Sequence, residues 1–157
     1  MNAYRNKPLK FPWPPVVYGL AVLAALGLGR YFPMEAGSQA GMVQWVAGCI
    51  FIAAGIGLDL WAVITLLANH TTVMPHRCST RLVTSGPFHL TRNPIYLGYT
   101  LLMAGLGFVL HNPWFLVTGI VAIALTTVYS IRREERHLLS RFGFEFELYC
   151  RNTTRWI

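Results

Sequence analysis

Two short stretches hold the side chains capable of chemistry. The first, "SGPFHLTRNPIYLG" from Ser85 to Gly98, sets Arg92, Asn93, Pro94, Tyr96, Leu97 and Gly98 close together. The second, "RREER" from Arg132 to Arg136, carries the adjacent acids Glu134 and Glu135. Pro94 suits the first turn of a helix because its missing amide hydrogen costs nothing there, and Asn93 is a good cap for that turn. The free amides of such a helix start, with the positive end of its dipole, favour a ligand carboxylate or phosphate. Arg92 and His89 add donors, and Gly98 permits close backbone approach. Adjacent acids on a helix point about 100° apart, so one faces a shared ligand while the other pairs nearby, for example with Arg132 or His137. The set binds and orients a ligand. No nucleophilic triad accompanies it, so no catalytic residue is assigned. The competing structural readings are a constrained loop before a capped helix, and a solvated helix surface laced with ion pairs.

The elements that must position these residues are apolar. Of 157 residues, 54% are hydrophobic and 12% charged, more apolar surface than an ordinary soluble domain hides. Four runs stand out, at about 16–32, 42–68, 94–110 and 114–131. Uncharged runs of about 20 residues match a hydrocarbon core of about 30 Å. In lipid only helices or closed barrels satisfy the backbone, and these runs lack period-2 alternation. The predicted fold is therefore all-α: one polytopic membrane domain over 1–157 with about four transmembrane helices. The third and fourth runs are slightly short and are joined by "HNP", His111 to Pro113, which predicts a tight antiparallel hairpin. That hairpin returns the segments 82–98 and 132–151 to one membrane face. No heptad seam or repeat is evident, and a soluble dinucleotide-binding domain is disfavoured by the lack of a Gly-x-Gly-x-x-Gly followed by an acid.

The formal charge of +7 reports topology rather than nucleic-acid binding. Arg5, Lys7 and Lys10 precede the first run, Arg77, Arg81 and Arg92 lie between the second and third, and the remaining arginines follow the fourth, with Arg30 alone on the other side. This positive-inside pattern predicts both termini in the cytoplasm, in the inner membrane of a bacterial-type cell. A signal peptide competes for the first run, but no small-residue cleavage site follows it and its loss would spoil the charge pattern. Cys49, Cys78 and Cys150 form no CxxC pair, and the spacings of His70, His76, Cys78 and His89 match no usual zinc pattern, so no metal is expected. Asp59 is an intramembrane acid, either a functional group or a hydrogen-bonding partner within the bundle.

In combination, "LVTSGPF", "RNPIYLG", the Glu134–Glu135 pair and "RFGFEFELY", from about Leu82 to Tyr149, resemble the membrane methyltransferases of the isoprenylcysteine carboxyl methyltransferase and phospholipid methyltransferase families. Asn93 stands where the isoprenylcysteine-type motif has His, and the form Asn93-Pro94-x-Tyr96-x-Gly98 looks more like the phospholipid branch. Gly55 and Gly57 match the Gly-x-Gly that this branch carries in the span before the loop. The resemblance implies methyl transfer from S-adenosylmethionine, bound by Arg92, Asn93, Tyr96, Leu97, Gly98, Glu134, Glu135, Gly55 and Gly57. It also implies a lipophilic acceptor: isoprenylcysteine-like, a phospholipid amine or another hydrophobic small molecule. Arg133, Arg136, Arg141 or Arg151 would hold an acceptor anion. "FGFEFELY" lines a lipid entrance or lies on the membrane surface, with Gly143 breaking the helix. Two other readings stay open: an NADPH-dependent reductase of the sterol reductase type, which resembles this family around the proline–tyrosine motif, and a non-enzymatic membrane scaffold or carrier. The acceptor's identity and the oligomeric state are open.

Overall fold

The structure, a computed structural model, describes residues 13–34, 41–71 and 81–157. The readings placed on Arg5, Lys7, Lys10, His76, Arg77 and Cys78 lie outside these. Among the described residues seven α-helices follow in order: α1 Trp13–Tyr31, α2 Met42–Ala68, α3 Pro87–Leu90, α4 Pro94–Val109, α5 Trp114–Thr126, α6 Arg132–Phe142 and α7 Phe144–Asn152. No strand occurs among the described residues. The fold is an all-α polytopic membrane protein.

Among the described residues, three apolar helices are long enough to cross a bilayer: α1, α2, and a 29-residue run from Trp114 to Phe142. In that run α5 passes into α6 through a π-helical turn, Thr127–Ile131. The helix therefore runs on beyond Ile131, where the fourth apolar run ends. No Gly or Pro interrupts the chain from Ile120 to Phe142, so the helix continues past the apolar stretch and carries the two glutamates on its extension. Helix α4, at 16 residues, is the shorter apolar element. At about 1.5 Å per residue it covers about 24 Å, less than a hydrocarbon core. It is accommodated by packing against α1, α2 and α5.

The α2–α4 contact is a seam of small residues. Gly48, Gly55 and the fully buried Ala62 recur every seven residues on α2, and Gly48 and Gly55 meet Gly105 and Gly98, which run the other way on α4. A Cβ on Gly55 would lie 2.8 Å from the Gly98 carbonyl oxygen, and one on Gly105 would lie 2.8 Å from that of Gly48. The heptad seam that the sequence did not reveal is therefore present, built from glycine rather than leucine. Lipid is as apolar as leucine, so close backbone approach, not apolar burial, drives helix pairing there.

A second cluster, with Tyr18, Ala21, Ala25, Met103, Phe115 and Ala122, packs α1, α4 and α5 together. Asn112 fastens the α4–α5 hairpin to α1 by donating from Nδ2 to the Ala25 carbonyl, 3.0 Å. The outer faces expose Leu20, Leu23, Ile50, Ile64 and Ile120, as lipid contact requires.

Candidate functional site

The short hairpin loop makes α4 and α5 antiparallel, so the first turn of α4 and the α6 extension lie at the same end of the bundle. Tyr96 Oη donates to Glu134 Oε2 across that gap, 3.1 Å. Glu135, one residue on, points elsewhere. Arg155 grips it with two parallel bonds, Nε to Oε1 at 3.0 Å and Nη2 to Oε2 at 2.7 Å, and Arg92 Nη1 lies 3.4 Å from Oε1. Side-chain exposure is 14% for Arg92, 17% for Glu135 and 37% for Arg155. The inner part of this cluster is therefore sheltered and its outer part is wet.

The C-terminal tail is strapped to the loop before α4. The Arg92 amide donates to the Thr154 carbonyl at 3.0 Å, and the Thr91 hydroxyl to the Arg155 carbonyl at 3.1 Å. Tyr149 Oη donates to the Phe88 carbonyl at 2.6 Å. Arg92 Nη1 also reaches Cys150 Sγ. Burial pushes the Tyr149 hydroxyl above its ordinary range, although the Arg92 charge works against this, so it remains a neutral donor. The hydrogen bond to Glu135 raises Arg155 further.

Asn93 occupies the cap position of α4, but its side chain does not cap the helix. Nδ2 donates instead to the Arg155 carbonyl, 2.9 Å. The donor end of the side-chain amide is thus turned to the tail, and its oxygen makes no bond to the helix start. Glu135 is the acid that pairs nearby, and it binds Arg155 and Arg92.

Arg92, Asn93, Tyr96, Glu134 and Glu135 are thus brought together. Leu97 is partly buried in the first turns of α4, where its amide donates to the Asn93 carbonyl at 3.0 Å. The Gly-x-Gly pair divides: Gly55 faces Gly98 in the seam, whereas Gly57 is exposed, with nothing near the position of a side chain. Gly98 makes room for Asp59, whose carboxylate occupies the space a Cβ would take. Among the described residues, the acceptor Asp59 Oδ1 and the donor Arg92 Nε are buried without a hydrogen-bond partner. Arg155 and Thr91 escaped sequence reasoning. Arg155 read only as one more topological charge, and no spacing connects it to a glutamate 20 residues earlier.

This arrangement falls mostly within a recognisable family. A model of phospholipid methyltransferases matches residues 43–145, from the start of the glycine seam through both glutamates. The chain belongs to the phospholipid methyltransferase family. Two curated relatives are similar to it. One is the nickel-cobalt-cadmium resistance protein NccN of Alcaligenes xylosoxydans xylosoxydans, 31% identical over 110 residues, covering 69% of this chain and 50% of the relative. The other is the cobalt-zinc-cadmium resistance protein CzcN of Cupriavidus metallidurans, 34% identical over 111 residues, covering 69% of this chain and 49% of the relative. The chain spans about half the length of these relatives. No solved structure matches it significantly. In this phospholipid methyltransferase family member, the Glu135 brace draws its main partner, Arg155, from beyond the matched residues.

Proposed function

We propose that the chain transfers a methyl group from S-adenosylmethionine to a lipophilic acceptor at the cytoplasmic membrane face. Family membership supports the reaction class, and the residues at the polar end fit the cofactor. Arg92 Nε, buried and without a partner, is a donor suited to the cofactor carboxylate. Glu134, steadied by Tyr96, is an acceptor for its ammonium or ribose hydroxyls. When bound, S-adenosylmethionine supplies a methyl group already made electrophilic by its sulfonium. The protein then has to hold the two partners in line and keep water out. Tyr96 orients Glu134, the Arg155–Glu135–Arg92 cluster fixes the loop that carries Arg92, and the seam keeps α2 and α4 closed. The acceptor tail lies between helices with its polar head towards Glu134.

The observation that carries this reading is the division of labour between the two acids: Arg155 and Arg92 engage Glu135, while a single phenol steadies Glu134. Calorimetry of the detergent-purified chain tests it. S-adenosylmethionine gives binding heat and NADPH gives none, and Glu134→Gln weakens the affinity by about tenfold, the worth of one charge-assisted hydrogen bond. Wild-type protein that binds NADPH or neither compound overturns the reading. Labelled S-adenosylmethionine with a membrane lipid extract then identifies the acceptor. The names of the relatives suggest a setting, tolerance of nickel, cobalt, zinc or cadmium, which growth of a deletion strain at raised cobalt tests.

A further inference from the structure

Helices α6 and α7 fold back on each other about Gly143, at φ 54°, and enclose an open cleft of about 740 Å³. Ligand sites span about 300 to 1,000 Å³. From α6 come Arg132, Glu135, Arg136 and Leu139, which share one helical face by their spacing. From α7 come Phe146, Glu147, Cys150 and Arg151. Glu135 is already matched by Arg155 and Arg92, so three guanidinium groups in the cleft are opposed mainly by Glu147. Leu139 and the buried Phe146 add apolar walls. The cleft is cationic at its lip and greasy at its side.

Its depth in the membrane is set by the helix that carries it. The apolar stretch ends at Ile131 and Arg132 follows directly. At about 1.5 Å per residue, Arg132 and Arg136 stand about 2 and 8 Å beyond that end. A headgroup layer is about 5 to 8 Å thick. A planar guanidinium matches phosphate oxygens with paired hydrogen bonds, and two arginines one turn apart can share one phosphate.

We propose that this cleft holds the phosphate of an anionic phospholipid from the surrounding leaflet, as a resident ligand distinct from any methyl acceptor. Glu135 lines the cleft and also anchors Arg155, so a seated lipid steadies the strap that closes the polar end. The proposal is independent of the methyl-transfer reading and stands or falls on lipid binding alone.

The test uses the full chain in a neutral detergent, with thermal unfolding and native mass spectrometry after adding phosphatidylglycerol, phosphatidylcholine or inorganic phosphate. Phosphatidylglycerol is expected to raise the unfolding temperature and remain bound, with the other two giving little. The double variant Arg132→Gln/Arg136→Gln is expected to weaken phosphatidylglycerol about thirtyfold, since each arginine at a leaflet surface is worth a factor of about five. Arg133→Gln/Arg141→Gln removes the same charge outside the cleft and is expected to cost much less. Leu139→Trp fills the cleft without changing charge, and blocks binding even where the double variant does not fold. Equal losses from the two arginine pairs, equal stabilisation by inorganic phosphate, or no retained phosphatidylglycerol would each overturn the proposal.

Discussion

Helix α4 is held along its length by glycines and at its first turn by charges. Along the seam, Gly55 and Gly105 let the backbones of α2 and α4 approach, so the contact there consists of many weak dispersion terms that need shape. At the first turn, Arg92 and Asn93 reach a tail that returns from far along the chain, and the contact consists of a few directional bonds that need particular partners. The seam tolerates no added atom, whereas the strap tolerates no lost partner. The first region is built for closeness in lipid and the second for specificity at the water's edge.

Adding volume should break the seam more severely than removing charge breaks the strap. Gly55→Val pushes a branched side chain against the Gly98 carbonyl and the side chains of Leu101 and Leu102. A loss of about 3 kcal/mol is expected, seen as a lower unfolding temperature and as aggregation in size-exclusion chromatography. Gly57→Val, two residues away on an open face, should change stability by less than about 0.5 kcal/mol. Equal damage from the two would remove the distinction between packed and lipid-facing glycines.

A smaller effect is expected at the strap. Glu135→Gln leaves Arg155 and Arg92 without their carboxylate, but Arg155 is 37% exposed and water screens part of the loss. About 1 to 2 kcal/mol is expected rather than the larger cost of breaking a fully buried pair, and raising the salt concentration should narrow the gap from wild type. Glu134→Gln should cost less stability than this while affecting cofactor binding more. The reverse order would exchange the roles given to the two acids.

The smallest effect belongs to Asn93→Ala, which removes the bond to the Arg155 carbonyl and should cost about 1 kcal/mol. Amide exchange should rise in the tail around Thr154 and remain unchanged in the first turn of α4. Faster exchange in α4 would restore the capping role that Asn93's position suggests.

Much of the framework was legible in the residues. Run lengths anticipated the apolar helices, and the three-residue link between the last two placed the polar segments at one end. Gly143, also foreseen, does break the helix. The seam was legible only to a reader looking for small residues: Gly48, Gly55 and Ala62 lie seven apart in plain sight, but a search for apolar heptads passes over them. Asn93 illustrates the opposite limit, because its side chain fits a helix cap and a tail carbonyl equally well. The acidic pair shows the same limit. Local spacing offered Arg132 and His137 as partners, while the actual partner of Glu135 comes from the strap.

The sequence by itself determined that the chain is helical, apolar and returned on itself, because backbone satisfaction in lipid and the length of an apolar run are properties of consecutive residues. Only the tertiary structure decided which glutamate is braced by arginines and which is held by a phenol, where Asp59 lies, and that two polar helices enclose a cationic cleft. Those choices depend on side chains distant in sequence arriving within hydrogen-bond reach, and on the directions in which they point.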